Sequence, residues 1–138
     1  MHVVVIGAGE VGLHIAGFLS REGQNVVLIE RDPGRLAKAA EEIDALTLAG
    51  NGASKQVLSE ANVNEADMVI AVTDSDEVNI VACMAAKRVG VPLTVARIRN
   101  SDYLDSTDAV SSEFTGIDYV IQPEAAVAEE IGRLVDTP

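Results

Sequence analysis

The chain has 138 residues, of which 48% are apolar, and a formal net charge of −12 from 22 acidic and 10 basic residues. This length fits one domain with a substantial core, and the apolar fraction excludes a disordered chain. The negative charge repels phosphate backbones and argues against nucleic acid as a partner. Because only 3% of the residues are aromatic, Val, Ile, Leu and Ala must fill the core.

Six short apolar runs predict strands, and segments with a helical period lie between them. In chain order, the predicted strands cover residues 2–6, 26–30, 45–49, 67–72, 93–98 and 118–121. The predicted helices cover residues 10–22, a segment from the Asp32-Pro33 cap, 54–60, a long segment ending at Val89, one or two short helices within 101–115, and about 123–136. Gly23 and Gly90 are typical helix stops.

This alternation predicts an α/β fold in which helices connect parallel strands by right-handed crossovers. We expect a Rossmann-type doubly wound six-stranded parallel sheet of order 3-2-1-4-5-6, with helices on both faces. The strand over 2–6 is expected to be buried on both faces. No linker or repeat beyond the two halves of the sheet is evident, so residues 1–138 are interpreted as a single domain.

The single cysteine and the short apolar runs bear on location. Cys83 has no partner for an intramolecular disulfide, and its alanine-rich surroundings predict a small buried side chain. Glu10 interrupts the first apolar stretch, and no run reaches the ~20 residues that cross a bilayer. A soluble cytoplasmic domain is therefore expected. Only three residues are lysine, which suits either a salt-rich cytoplasm or an ordinary acidic surface.

The segment Gly7-Ala8-Gly9-Glu10-Val11-Gly12 follows the first strand and opens the first helix. It has the G-x-G-x-x-G spacing of a dinucleotide-binding loop. Gly7 allows the tight turn, Gly9 lets the backbone approach a pyrophosphate, and Gly12 lets the helix pack on the strand. The N–H groups at the start of the helix would then hold the phosphates.

Glu30 ends the second predicted strand, where a carboxylate accepts hydrogen bonds from both hydroxyls of an adenosine ribose. This carboxylate disfavours the 2′-phosphate of NADP, although the neighbouring Arg31 is a cation that such a phosphate would meet. Glu30 does not distinguish NAD(H) from ATP, ADP or AMP, because all of them share this ribose. NAD(H) is the first prediction for the ligand, and the three adenine nucleotides stay open.

A polar cluster follows the fourth predicted strand, at the switch point where such sheets bind ligands. Asp74, with Glu77 three residues later, is typical of a capping box, so Asp74 and Asp76 are expected to cap the next helix. Thr73 and Glu77 are also expected to face the second half of a dinucleotide. The carboxylates lack the spacing of a metal site, and none is predicted.

Arg97 closes the fifth predicted strand, where its guanidinium would reach a phosphate or an acidic partner surface. The only histidines, His2 and His14, lie away from the place of a nicotinamide, and no catalytic set of residues is recognisable. No catalytic residue is predicted. The nucleotide is therefore interpreted as a signal, and the alternative is the cofactor-binding part of an NAD-dependent oxidoreductase.

Several stretches together resemble the TrkA-type N-terminal nucleotide-binding domains of the RCK/KTN family, the regulators of potassium conductance. They are VVVIGAGEVG, VVLIERDPGRL, LAGNGASKQVLSEANVNEADMVIAVTDSDEVNIVACMAAK, VARIRNSDYL and IDYVIQPEAAVAEEIGRLV. The resemblance covers nearly the whole chain, and its motifs are more specific than the glycine loop alone.

This resemblance implies a cytoplasmic ligand sensor that forms homodimers and higher rings beneath a TrkH-like potassium transporter or channel subunit, at the inner face of the membrane. It places phosphate on the glycine loop, ribose on Glu30 and adenine beside Asn51 and Gly52, with Thr73, Glu77 and Arg97 along the rest of the cleft. Many relatives carry Asp at the position of Asn51. The resemblance also implies that the last helix begins a crossover to a C-terminal domain, so the chain is interpreted as an excised fragment.

Overall fold

The computed structural model describes residues 1–103, 115–121 and 127–136. The strands are β1 (His2–Ile6), β2 (Asn25–Glu30), β3 (Leu46–Ala49), β4 (Met68–Ala71), β5 (Leu93–Arg97) and β6 (Tyr119–Ile121). The α-helices are α1 (Glu10–Arg21), α2 (Pro33–Glu42), α3 (Lys55–Glu60), α4 (Asp76–Arg88) and α5 (Val127–Asp136). Short 3-10 turns occupy Val63–Glu65 and Ser101–Tyr103. None of the helices in these ranges is both long and apolar enough to span a bilayer.

The strands within the described ranges form one parallel sheet of order β3-β2-β1-β4-β5-β6, which confirms the predicted topology. Val5 of β1 pairs with Leu28 of β2 on one side and with Ile70 of β4 on the other. The chain leaves β1 for β2 and enters the other half of the sheet through β4. The carboxyl ends of β1 and β4 therefore flank the crevice in which open α/β sheets bind ligands.

β1 is buried on both faces, as predicted, because Val3 to Ile6 are each at most 1% exposed. Successive side chains of a strand point to opposite faces of the sheet. Val4 and Ile6 join the core beneath α3 and α4, and Val3 and Val5 join the core beneath α1, α2 and α5. The two faces of β1 thus anchor the two helical layers.

Local signals set most helix ends. The Asp32 carboxylate accepts a hydrogen bond from the Arg35 backbone N–H at 2.9 Å, and Pro33 is the first residue of α2. Gly23 and Gly90 follow α1 and α4 with φ of 83° and 98°, the left-handed region that glycine adopts without strain. These caps and stops confirm the predicted ends.

The capping prediction for Asp74 and Asp76 is wrong. Ser75 caps α4 instead, since its hydroxyl accepts from the Val78 backbone N–H at 3.2 Å. The Asp76 carboxylate accepts the backbone N–H groups of Arg99 and Asn100 at 3.0 and 2.8 Å, which holds the chain after β5 against the start of α4. The carboxylates of Asp74 and Asp76 bind partners that are distant in sequence, so Ser75 caps the helix.

Two predicted segments fall partly outside the described residues. Of the short helices predicted within 101–115, the structure describes the Ser101–Tyr103 turn and Thr115, and residues 104–114 lie outside. The start of the last helix at Pro123 also lies outside, and the described part of this helix is α5. Ile131 of α5 is fully buried, and Gly132 lies against the Phe18 ring of α1, which places α5 on the α1 face of the sheet.

Cys83 has the inert packed role predicted for it. It is fully buried in the core beneath α4, and its Sγ lies 3.5 Å from the Val95 carbonyl oxygen. Burial, reinforced by the Asp118 charge and opposed by Lys87, raises the pKa of the thiol to about 12. The thiolate is therefore absent at neutral pH, and the thiol is unreactive.

The edge of the sheet at β6 is tied to α4 by one carboxylate. Asp118 accepts hydrogen bonds from Lys87 Nζ at 2.7 Å, the Thr94 backbone N–H at 2.9 Å and Thr94 Oγ1 at 3.2 Å. Partial burial opposes ionisation of Asp118, but the bonds from Lys87 and Thr94 outweigh it and hold the pKa below its ordinary value. The ionised carboxylate is thus the form that stabilises the fold.

We predict that Asp118→Asn lowers the free energy of unfolding by about 1 kcal/mol at pH 7, the size of a well-placed surface ion pair. Because the folded pKa is depressed, the Asp118 contribution is present above the unfolded-state pKa of ~3.9 and is lost as pH falls through the folded value. Urea unfolding from pH 7 to pH 2.5 should show the two proteins converging in acid. A constant difference across this range would contradict the prediction, and exposed Asp102→Asn serves as the control.

Candidate functional site

A cleft of about 1050 Å³ opens at the carboxyl ends of β1, β2, β4 and β5. The glycine loop, the end of β2, the turn after β3 and the segment after β4 form its walls. Among the described residues, four arginines and four carboxylates line it, so their formal charges cancel. These residues are Arg31, Arg35, Arg97 and Arg99, and Glu10, Glu30, Asp32 and Asp74.

Packing explains two glycines of the loop but not the third. Gly7 has a φ of 107°, and a Cβ at Gly12 would overlap the Gly7 carbonyl oxygen. Among the described residues, a Cβ at Gly9 would meet only Arg35 Nη1, at 3.6 Å, within a 4 Å radius. The fold therefore needs Gly7 and Gly12, whereas Gly9 leaves open space above the loop.

The N-terminus of α1 faces this open space. Gly9 is the N-cap residue and offers no side-chain cap, and Glu10 and Val11 of the first turn line the cleft. The first N–H groups of a helix have no partner within the helix, and the helix dipole favours an anion beside them. The loop can therefore hold a phosphate group by its backbone.

Glu30 is 8% exposed and lines the cleft at the end of β2. Its Oε1 accepts the Ala8 backbone N–H at 2.7 Å, and its Oε2 accepts the Asp32 backbone N–H at 2.8 Å. An ionised carboxylate has about four acceptor positions, so two remain for hydroxyl donors. Glu30 thus ties the glycine loop to β2 and keeps acceptor positions open for further donors.

The residues predicted beside the adenine line the same end of the cleft. Asn51 Oδ1 accepts the Ala53 backbone N–H at 2.9 Å, which fixes the turn after β3. Gly52 is buried, and a Cβ there would overlap the Ile6 side chain. Arg31 is exposed at the cleft rim.

Asn79 organises the opposite wall although it is itself fully buried. Its Oδ1 accepts the Thr73 backbone N–H at 2.9 Å and the Thr73 hydroxyl at 2.7 Å. Its Nδ2 donates to the Thr73 carbonyl at 3.1 Å and to the Arg97 carbonyl at 2.8 Å. One amide therefore fixes the position of both Thr73 and the end of β5.

Arg97 is 6% exposed and lines the cleft. Its Nη1 donates to the Val72 carbonyl at 3.3 Å, and its Nη2 lies 3.5 Å from Asp74 Oδ1. Arg99 Nη2 lies 3.3 Å from the same oxygen, and Arg35 Nη1 lies 3.6 Å from Asp74 Oδ2. We call Arg35, Arg97 and Arg99 the arginine cluster.

Most of the predicted site residues meet in this cleft. Those that line it are Gly7, Gly9, Glu10, Val11, Glu30, Arg31, Asn51, Gly52, Thr73 and Arg97. Ala8 and Gly12 support the loop from behind. Glu77 does not line the cleft, because its carboxylate accepts the Tyr103 hydroxyl at 2.8 Å, a bond that raises the pKa of Tyr103.

Sequence reasoning missed two members of the arginine cluster and the role of Asp74. Arg99 follows Arg97 by two residues just beyond a strand end, a position that the topology directs toward the cleft. Arg35 lies in the first turn of α2 and carries no comparable signal. In the part of the chain that the structure describes, no three His, Cys, Asp or Glu side chains gather as candidate metal ligands.

The sheet order, the glycine loop at its switch point and the acidic end of β2 define a Rossmann-type nucleotide-binding fold. A family model described as the TrkA-N domain matches residues 3–123. The chain therefore belongs to the TrkA-N domain family.

Two potassium uptake proteins align with this chain over its whole length. A "Trk system potassium uptake protein trkA homolog 1" of Methanosarcina mazei is 45% identical over 145 aligned positions, which span 100% of this chain and 35% of that protein. A "Trk system potassium uptake protein TrkA homolog" of Methanothermobacter thermautotrophicus is 38% identical over 138 residues, 100% of this chain and 62% of that protein. The chain thus spans between about a third and two thirds of these relatives.

Solved structures agree with the fold. The TrkA-N domain of the inner membrane protein ybaL from Escherichia coli superposes with a TM-score of 0.77 at 20% identity, over 98% of this chain and 96% of that one. The GsuK channel bound to NAD gives 0.71 at 16% identity, over 87% of this chain and 21% of that one. GsuK bound to ADP gives 0.71 at 24% identity, over 98% and 34%.

Gly12→Ala and Gly9→Ala form a matched pair that separates a glycine required for packing from one that the fold does not require. We predict that Gly12→Ala lowers the free energy of unfolding by at least about 2 kcal/mol, because the new Cβ overlaps the Gly7 carbonyl. Gly9→Ala should change it by less than about 1 kcal/mol, since a φ of −72° suits alanine. Urea unfolding measures both, and similar losses in the two variants would contradict the assignment.

Asn79→Ala should lower the free energy of unfolding by about 2–3 kcal/mol, because it leaves the half-buried Thr73 N–H and the buried Arg97 carbonyl without their partner. Asn64→Ala, at an exposed position of the Val63–Glu65 turn, is the matched control and should stay within about 0.5 kcal/mol of the parent. Chemical denaturation checks both. Equal stability of the two variants would show that Asn79 does not organise this wall.

Proposed function

We propose that this domain binds an adenine nucleotide in the cleft and acts as a cytoplasmic regulatory part of a potassium uptake or channel system. NAD(H) is the first candidate ligand, and ATP, ADP and AMP are the others. The observation that carries the proposal is the fixed Glu30 carboxylate beside open space at Gly9, since this pairs a ribose acceptor with a phosphate cradle.

In the proposed pose, the phosphates lie over Gly9 against the first N–H groups of α1. The adenosine ribose donates its hydroxyls to Glu30, and the adenine lies toward Asn51 and Gly52. The part of the ligand beyond the phosphates over Gly9 extends toward Thr73 and Arg97. A 2′-phosphate on the ribose would meet the Glu30 carboxylate, so NADP binds more weakly in this pose.

Family membership supports a regulatory role over the alternative of an oxidoreductase cofactor domain. The relatives named above are potassium uptake proteins, and the TrkA-N family model covers most of the chain. The neighbouring folds include a channel solved with NAD and the same protein solved with ADP, which supports both ligand classes.

The proposed mechanism is a population shift. Homodimers, assembled into a ring, would adopt different hinge angles with different nucleotides, and a TrkH-like membrane subunit would respond to that angle from the inner face of the membrane. A ligand shifts such an equilibrium only by its difference in affinity between the two states. The relatives named above extend well beyond this domain.

The first test is calorimetric titration of the 138-residue chain with NADH, NAD, ATP, ADP and AMP, in low and in multimolar salt. Loss of the Glu30 hydrogen bonds to ribose should weaken binding about tenfold to a hundredfold in Glu30→Ala. Glu41→Ala removes a carboxylate from an exposed position of α2 and should bind as the parent does.

Because Glu30 also accepts backbone N–H groups, circular dichroism must first show that Glu30→Ala is folded. A folded Glu30→Ala that binds as tightly as the parent, or a parent that binds none of the nucleotides in either salt, would overturn the proposed site. In a longer protein with its membrane partner, nucleotides that leave both dimer geometry and potassium flux unchanged would overturn the gating mechanism alone.

A further inference from the structure

The arginine cluster places three cationic side chains beside a single carboxylate. Arg35, Arg97 and Arg99 all converge on one carboxylate, that of Asp74, at 3.3–3.6 Å. Charge-assisted hydrogen bonds between arginine and carboxylate are usually about 2.7–2.9 Å. Asp74 is 65% exposed at its side chain, so it holds three cations loosely from the solvent side.

Arg97 is the member of the cluster that solvent reaches least. Its side chain is 7% exposed, and its Nε has no hydrogen-bond partner among the described residues. A buried cation is stable only when anions or acceptors satisfy its donors. Asp74 lies near Nη2 of Arg97, and the Val72 carbonyl accepts from Nη1. The remaining donors of the guanidinium can therefore bind an anion with more oxygens than a carboxylate offers.

The cluster is continuous with the glycine loop. Arg35 Nη1 stands 3.6 Å from the position that a Cβ of Gly9 would take, and it also faces Asp74. A chain of phosphates that begins over Gly9 would therefore pass Arg35 and reach the oxygens of Asp74. The end of such a chain is where the anion held by the cluster would lie.

We propose that Asp74 is an exchangeable counter-ion, which the terminal phosphate of a nucleoside polyphosphate displaces from the arginine cluster. This proposal rests on the proposed function for the position of the first phosphates. The exposed carboxylate turns to water at small cost, because exposed ion pairs contribute little. Asp74 thereby sets selectivity: it competes with every ligand that sends a charged terminal phosphate to the cluster.

The chemistry separates two ligand classes. A terminal phosphate carries a charge near −2 and three free oxygens, and it can satisfy several arginines at once. Both phosphates of NAD(H) are bridging, with one charge each, and the group beyond them is a riboside. Asp74 therefore opposes ATP and ADP, whose terminal phosphate would reach the cluster. It leaves NAD(H) nearly unaffected, and AMP as well, because the only phosphate of AMP would lie over Gly9.

The test compares the parent chain with Asp74→Asn, Asp74→Glu and Asp102→Asn by calorimetric titration of ATP, AMP, NADH and inorganic tripolyphosphate. We expect Asp74→Asn to raise the affinity for ATP and tripolyphosphate about threefold to tenfold, and that for AMP and NADH less than about twofold. Asp74→Glu keeps the competing charge and should retain the parent selectivity. Asp102→Asn removes an equal charge from an exposed turn outside the cluster and should leave the affinity ratio of ATP to AMP unchanged.

A rise of the same size for all four ligands, a rise of the same size in Asp102→Asn, or a fall in ATP affinity would overturn the proposal. The tripolyphosphate arm needs no nucleoside, so it decides the role of Asp74 even if no nucleotide binds. Failure of the proposed function is seen separately, as nucleotide binding that is absent or insensitive to Glu30→Ala. Equal tripolyphosphate affinity in the parent and Asp74→Asn would overturn the exchange while leaving the nucleotide site intact.

Discussion

The close approach of helix α1 to the glycine loop is the constraint on which the rest of the cleft depends. Because a Cβ at Gly12 would overlap the Gly7 carbonyl, this carbonyl and the helix can touch only through glycine. The contact brings the first turn of α1 to the carboxyl end of β1, beside β4. Glu30 then fixes the loop by accepting the Ala8 N–H, so the proposed phosphate cradle and the proposed ribose acceptor form one unit.

This unit shows how one group can serve both stability and recognition. Glu30 is nearly buried, and an unpaired buried carboxylate would be costly. Two backbone N–H groups satisfy part of its acceptor capacity from the protein side, which fixes its orientation without filling every lone pair. The same bonds direct the remaining acceptors, so the proposed ligand would meet a carboxylate that is already oriented.

The sequence predicts the backbone-built half of the site well, because its signals are local. Strand order follows from the alternation of elements, and the loop follows from glycines at fixed spacing beside a strand and a helix. The charged half of the site, the arginine cluster with Asp74, consists of residues that the topology brings together. Asp74 has the spacing of a capping box with Glu77, yet Ser75 caps the helix, because three arginines from α2 and the end of β5 surround Asp74.

Glu77 also shows that a local sequence signal can predict the wrong role for a side chain. Its place in the first turn of α4 predicts a role in the cleft, but the hydroxyl of Tyr103, 26 residues later, holds its carboxylate elsewhere. Asn79, two residues further along the helix, is the residue that joins the cleft wall to β5, and a lone asparagine in an apolar helix gives no local sign of this. Its amide can join them because α4, which follows β4, packs against both β4 and β5. The same topology that opens the cleft therefore also determines which helical side chain braces it.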